Sequence, residues 1–299
     1  MTDVVQVIVS TATVGSALAL VALGYSLVFS STGIINFAHG PLFVVAGYGA
    51  FALSRAGLPV SVAFVVVVAG TAVAGVVVES VALRPLGRFD PATDIGWVLT
   101  TFAAGLVAVD LVRLGVDASP HALPPLVGSL AGWRVWRVAG VAVTPTDAVV
   151  VAAALALVVG LDVTLRRTAA GRAVRAVAQD REAAALVGVD TSAVVTATFA
   201  LAGALAAVAA VLLAPKVFVR LENGLLLGLQ AFVAAVLGGL GSARGALTGG
   251  YAVAAVSAVA RTTSPSGGRY ELVAVFVLFL VTLAVRPTGL FGTRAVEKV

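Results

Sequence analysis

The stretch Ile34-Ile35-Asn36-Phe37-Ala38-His39-Gly40-Pro41 sets an amide, an imidazole, a glycine and a proline inside a run with no Asp, Glu, Lys or Arg from Val4 to Ser54. Asn36 carries both donors and an acceptor, and a neutral His39 carries one of each. Such groups hydrogen-bond freed backbone or a polar solute. Pro41 lacks an N–H, so the sequence predicts a break that frees carbonyls near residues 37 and 38. One reading is a kinked helix whose polar residues bind a neighbouring helix. The other is a broken helix beside a water-filled path, since in lipid irregular backbone survives only where protein or water satisfies it.

Two further stretches carry candidate function. Residues 231–250, AFVAAVLGGLGSARGALTGG, hold Gly238, Gly239, Gly241, Gly245, Gly249 and Gly250, with Gly228 just upstream. Gly245 and Gly249 form a small-xxx-small pair that predicts close helix packing, the favoured reading on physics alone. Alternatively, Gly238 to Gly241 unwinds the chain into a turn. In residues 171–190, Arg172, Arg175, Gln179 and Glu182 share one face at helical spacing. Gly188 supplies a stop, and Asp190 or Thr191 can cap the helix that follows. This segment is either a basic loop lying on lipid headgroups or a short helix that fits a groove on a soluble partner.

Other chemistries find no constellation. The chain has no Cys, and His39 and His121 are its only histidines, so neither a thiolate metal site nor an H-E-x-x-H zinc site can be built. No Ser sits in G-x-S-x-G, and no Gly-Lys pair exists for a phosphate-cradling loop. No catalytic residue, cofactor or metal is expected. Glu79, Asp110 and Arg113 fall near the ends of apolar blocks, where local pairing accounts for them better than a proton relay.

The elements that must position these residues follow from composition. With 60% hydrophobic and only 11% charged residues, the chain lies far from the roughly 25% charge of soluble domains. Solid Ala, Val and Leu blocks of about 20 residues match a bilayer core and argue against a transmembrane barrel. The fold class is an all-α polytopic transmembrane bundle, a single domain over 1–299, with about 8–9 segments including broken or re-entrant helices. The segments fall near 4–29, 34–54, 59–82, 95–114, 141–162, 191–214, 225–240, 245–260 and 270–286, and 225–240 is short enough to be re-entrant. As one helix, the uncharged run from 4 to 54 would reach roughly 75 Å, so it must turn back, at Ser30 to Gly33.

Ala17-Leu18-Ala19 resembles a cleavage site, but only Asp3 precedes the first block, which reads as a retained helix. The net charge of +5 sits between apolar blocks, where loops and headgroups explain it without nucleic acid. Arg166, Arg167, Arg172, Arg175 and Arg181 form the densest basic cluster and are expected in the cytoplasm. Counting spans from there puts Arg84, Arg88, Arg286, Arg294 and Lys298 on the same side and the N-terminus outside. Trp133 and Trp136 bracket Arg134 in the long 115–140 connection, an interfacial anchor. Gly-interrupted segments at 33–49 and 224–250 fit a transporter built from two related units.

Three blocks then carry a resemblance. GYSLVFSSTGIINFAHGPLFVVAGYGAF (24–51), GRAVRAVAQDREAAALVGVD (171–190) and residues 228–250 resemble, in order, segments of the branched-chain amino acid ABC transporter permeases. The resemblance implies a translocation path flanked by Asn36, Phe37, His39 and Gly40, with Gly238, Gly239 and Gly241 packed around it. It implies a coupling helix seated on an ATPase, with Arg172, Arg175, Gln179, Asp180 and Glu182 as contacts. The implied partners are two ATP-binding cassette subunits, a second permease subunit and an extracytoplasmic solute-binding protein, in the cell membrane. Pro41 stands after Gly40 where many members have an acidic residue, which bears on solute identity. Alternatives are an ABC permease for urea or short amides and an ion-coupled secondary transporter.

Overall fold

Uninterrupted apolar blocks leave the backbone no partner but itself, and the chain folds accordingly into helices. The computed structural model describes residues 2–87, 93–116, 119–125, 135–138, 140–263 and 268–292. Its helices are α1 (Thr2–Thr32), α2 (His39–Arg55), α3 (Val60–Val78), α4 (Gly96–Gly115), α5 (Pro145–Arg167), α6 (Ala169–Gln179), α7 (Arg181–Leu186), α8 (Thr191–Leu213), α9 (Asn223–Gly238), α10 (Ala243–Thr263) and α11 (Glu271–Val285). A small antiparallel hairpin, β1 (Trp136–Val138) with β2 (Val141–Val143), precedes α5. Arg88, Trp133, Arg134, Arg294 and Lys298 lie outside the described residues, so the proposed Trp-Arg-Trp anchor keeps only an exposed Trp136.

Among the described residues, five segments are long and apolar enough to cross a bilayer: Val4–Thr32, Val60–Leu86, Gly96–Gly115, Pro145–Arg167 and Thr191–Leu213. The apolar helices α9 and α11 have 16 and 15 residues, roughly 24 and 22 Å of rise against a hydrocarbon core of about 30 Å. The protein is a multi-pass membrane protein. At its centre α1 packs on α8, α10, α5 and α9, and α8 also packs on α3 and α2. Small residues set these distances: a Cβ on Gly75 would lie 2.3 Å from the Phe199 carbonyl oxygen, and one on Gly203 would lie 2.3 Å from that of Thr71. Around this centre α3, α4 and α11 turn Val65, Val73, Leu106, Leu111, Val277 and Leu280 outward, as lipid-facing helices do.

The membrane-edge charges pair locally. A π-helical turn, Glu79–Leu83, buries Glu79, whose two carboxylate oxygens each accept from Arg84 Nε at 3.0 Å. Arg113 meets Asp110 at 3.3 Å, three residues back.

Two expectations are corrected. The second helix starts at His39, not at residue 34, so Pro41 is the third helical residue. There it costs no intrahelical bond, because the first-turn N–H groups have no intrahelical partner anyway; it starts the helix instead of kinking one. The segment 171–190 is two helices, not one, because Asp180 leaves helical geometry at φ −162° and caps α7 through bonds from the Glu182 and Ala183 N–H groups. Glu182 therefore does not continue the face of Arg172 and Arg175. The capping expectation for Asp190 holds: its Oδ1 accepts from Ala193 N at 2.9 Å at the start of α8.

Candidate functional site

At the break between α1 and α2, most of the backbone donors find partners outside a regular helix. Gly33, at φ 73°, ends α1 with its N–H on Phe29 O. Thr32 Oγ1 accepts from Ile34 N, and Thr101 Oγ1 on α4 accepts from Phe37 N. Asn36 then folds over the start of α2, its Oδ1 accepting from Ala38 N at 3.0 Å and its carbonyl from His39 N at 3.1 Å. His39 Nε2 lies 3.0 Å from the Val21 carbonyl, and its ring meets Tyr25 edge-on at 4.7 Å. Gly24 makes room for it, since a Cβ there would sit 2.3 Å from Nε2. Val21 is eleven residues before the end of α1, so α2 begins roughly 16 Å back along that helix.

Asn36 and His39 are 1% and 0% exposed, and Gly40 is buried. A Cβ on Gly40 would lie 2.4 Å from the Gly224 carbonyl oxygen and 2.9 Å from Gly228 Cα. The two glycine-interrupted segments of the sequence therefore meet, α2 against the first turns of α9. Phe37 is half-buried, stacked on Trp97 (6.4 Å, 17°) and 6.3 Å from Phe232. Pro41 is turned to α4, where a Cβ on Gly105 would lie 2.8 Å from its Cγ.

The second glycine stretch both packs and unwinds. Gly239 (φ 99°) and Gly241 (φ 84°) form the turn between α9 and α10, in backbone that side chains resist. Gly245 and Gly249 pack α10 on the α9 backbone at Gly238 and Ala234. The chain after α11 returns here, Leu290 N and Phe291 N donating to Leu237 O and Gly238 O at 2.9 Å each. These bonds satisfy carbonyls that a helix end leaves free. The turn sits beside the C-terminus of α1, a Cβ on Gly241 lying 3.7 Å from Ser30 Cβ. It is therefore about nine residues of α1 away from the His39 contact at Val21, and the structure does not bring Gly238, Gly239 and Gly241 together with Asn36 and His39.

At that same end lie α6 and α7. Helix α6 packs on α5, α1 and α8, and α7 on α6 and α8. Arg172, Arg175, Gln179 and Glu182 are exposed, although Arg175 also donates to the Leu165 carbonyl at the end of α5. Asp180 is half-buried in its capping role. An open cavity of about 830 Å³ is enclosed here by Ser30 to Gly33, Gln179 to Glu182, Thr191 and Leu240-Gly241. The end of α1, the α6–α7 junction and the α9–α10 turn thus line one cavity on the face with the densest arginines, and none of Asn36, Phe37, His39 and Gly40 lines it.

The chain was compared with known proteins. Residues 7–285 match the family described as the permease component of branched-chain amino acid transport systems. The chain belongs to this permease family. It is 33% identical to the high-affinity branched-chain amino acid transport system permease protein BraD of Pseudomonas aeruginosa, over 98% of this chain and 97% of that one. With the permease protein LivH of Escherichia coli K12 it shares 33% identity over 96% and 95%. With a probable LivH of Methanocaldococcus jannaschii the identity is 28% over 92% and 88%.

Several residues of this permease escaped sequence reasoning. Tyr25, Trp97, Thr101 and Phe232 surround the break. A buried carboxylate, Asp147 at the start of α5, accepts from Thr13 Oγ1 (2.8 Å), Thr144 N (2.8 Å), Thr144 Oγ1 (2.7 Å) and Lys216 Nζ (2.8 Å). It ties α1, α5 and the α8–α9 connection together at the end opposite the arginines. Only the Thr144-Pro145-Thr146-Asp147 run was locally readable, as a helix start with Pro at its first position and an acid in its first turn.

Proposed function

We propose that this permease is the membrane subunit of an ATP-driven importer for branched-chain amino acids. It would sit in the cell membrane with its arginine-rich face in the cytoplasm and its N-terminus outside. It would assemble with a second permease subunit, two ATP-binding subunits and an extracytoplasmic binding protein, as one translocating domain. The names of its relatives support the solute class. The observation that carries the reading is the convergence of the α1 end, the α6–α7 junction and the α9–α10 turn on one cavity at the basic face.

The chain has no nucleotide-cradling loop, so energy must arrive through a contact surface. ATP binding in a partner does work here only if the partner grips one conformation more tightly than another. Moving a two-state equilibrium from 1:99 to 99:1 takes a differential of about 10⁴-fold. Helices α6 and α7 would receive that differential, with Arg172, Arg175, Gln179, Asp180 and Glu182 around the contact. Asn36, Phe37, His39 and Gly40 then shape the wall of the path at the α2 break, and Gly238, Gly239 and Gly241 supply the turn beneath it.

The test is leucine uptake into proteoliposomes holding the assembled transporter and its binding protein. Uptake is expected to require internal ATP and to fall when Glu182 is changed to Lys, with membrane insertion intact. Uptake that persists without ATP and collapses with a protonophore refutes the reading.

A further inference from the structure

We propose that residues 119–123 form the outer gate of the permease, a strap latched to the α8–α9 connection and to α2 that lifts to admit solute. This inference rests on the importer reading above and names the part of the chain that closes its external end. The strap belongs to the run Ser119-Pro120-His121-Ala122-Leu123-Pro124-Pro125, between α4 and α5. Its prolines keep the run out of a helix and hold it extended. Alternate residues face in and out, as in a strand: His121 is half-buried, Ala122 exposed and Leu123 buried. One antiparallel bridge fastens it to the α8–α9 connection, His121 N donating to Val219 O at 3.1 Å and Val219 N to His121 O at 2.8 Å. The His121 ring also lies flat on Phe51 of α2 (3.7 Å, 14°), with Tyr48 edge-on at 5.7 Å.

Beneath the strap lies the way in from outside. Helix α2 climbs from the break at His39 toward Arg55, and the chain from Val219 to Gly228 covers it turn by turn. A Cβ on Gly224 would lie 2.8 Å from Val44 Cγ2, and one on Gly47 would lie 2.9 Å from Val219 Cγ1. Val219 and Leu221 are buried, so the α8–α9 connection dips into the bundle as a sill. An ion pair anchors the sill, Lys216 Nζ donating to Asp147 Oδ2 at 2.8 Å at the start of α5. The strap rests on this fixed sill through a bridge and a ring stack, groups that part without unwinding a helix. The aromatic surface of Phe37, Trp97 and Phe232 lies further in, at the start of α2. At the opposite end the 830 Å³ cavity is open. The chain thus stands closed where the strap lies and open at the arginine face. A transporter that alternates between two accessible states needs the strap raised in the other one.

The experiment uses the assembled transporter in proteoliposomes, with its binding protein outside and ATP inside. In H121C/V219C the two Cα atoms stand about 5.5 Å apart, as in any antiparallel pair that exchanges both bonds, inside the range a disulfide spans. Mild oxidation is expected to form the disulfide, read by mass spectrometry, and to cut leucine uptake roughly tenfold or more, with reduction restoring it. Full uptake in the bridged form overturns the gate, and free thiols after oxidation overturn the latch. A second measurement stands apart from the activity of that pair. L123C and A122C are each labelled from outside with a membrane-impermeant maleimide, read on the permease chain, which has no other cysteine. L123C is expected to label slowly at rest and roughly tenfold faster during turnover, and A122C at one fast rate in both. Equal labelling of L123C at rest and in turnover overturns the gate while leaving the importer reading intact. Absence of ATP-driven uptake in the unaltered assembly overturns both readings together.

Discussion

Replacing Gly40 by Ala tests whether the start of α2 is fixed by its backbone contact with α9. The added Cβ would meet the Gly224 carbonyl oxygen at 2.4 Å and Gly228 Cα at 2.9 Å, both backbone atoms. Neither can swing aside as a side-chain end would, so α2 must retreat by about 1 Å to reach ordinary contact distance. Overpacking of this kind costs about 1–3 kcal/mol. The retreat also draws His39 away from the Val21 carbonyl, now 3.0 Å distant, and a hydrogen bond between membrane helices adds about 0.6–2 kcal/mol. The total is about 2–5 kcal/mol, which for a chain of this size lowers the melting temperature on the order of 5–10 °C. The control sits on the same helix: a Cβ on Gly49 meets only Val67 Cγ2, at 3.7 Å. There alanine gains helix propensity of up to about 1 kcal/mol at no steric cost. Melting curves in one mild detergent, read by retention of the monodisperse peak after heating, compare the two. If G40A and G49A melt together at the unaltered temperature, the close α2–α9 approach is wrong.

Two other predictions rest on side-chain geometry. K216M leaves the Asp147 carboxylate with only its Thr13 and Thr144 donors. Lys216 is partly exposed and the pair is partly screened, so the expected loss is about 1–3 kcal/mol, below that of a fully buried pair; a melting temperature equal to the unaltered protein's refutes the strut. The S30C/G241C pair is expected to form a disulfide under mild oxidation, because the two Cβ positions lie 3.7 Å apart, inside the range a disulfide spans. Mass spectrometry of the non-reduced protein decides it, and free thiols after oxidation would place the α9–α10 turn elsewhere.

Much of the helical layout was legible because its signal is block length. Nine apolar blocks of the sequence correspond to α1–α5 and α8–α11, since in lipid a solid apolar run has one stable backbone solution. Boundaries failed where the deciding residue spoke through geometry and not through hydrophobicity. Ile34 and Ile35 look like the opening of a helix, yet the chain stays irregular until His39, because Asn36 caps the backbone locally. The same happened at Asp180: helical spacing carried the eye from Arg172 to Glu182, while Asp180-Arg181-Glu182 was already a helix start. Of the candidate residues for the path, Asn36 caps α2 through Oδ1 and His39 meets α1 through Nε2, while Asn36 Nδ2 and His39 Nδ1 are buried without a hydrogen-bond partner. The Asp147 cluster could not have been read locally, since Lys216 and Thr13 lie 69 and 134 residues away.

The burial of Asn36 and His39 changes what the α2 break is for. A broken helix in a transporter invites the idea that its free N–H groups hold the solute. Here the donors of Phe37, Ala38 and His39 already have partners within the chain. Asn36 Oδ1 and His39 Nε2 thus fix the start of α2 and its position against α1, with Gly40 seated on α9, and half-buried Phe37, with Trp97 and Phe232 beside it, is the aromatic surface at the break. An aromatic wall suits an aliphatic side chain and offers little to an ammonium or carboxylate hydrated in water. On the proposed reading, such a wall would select its solute by shape and apolarity.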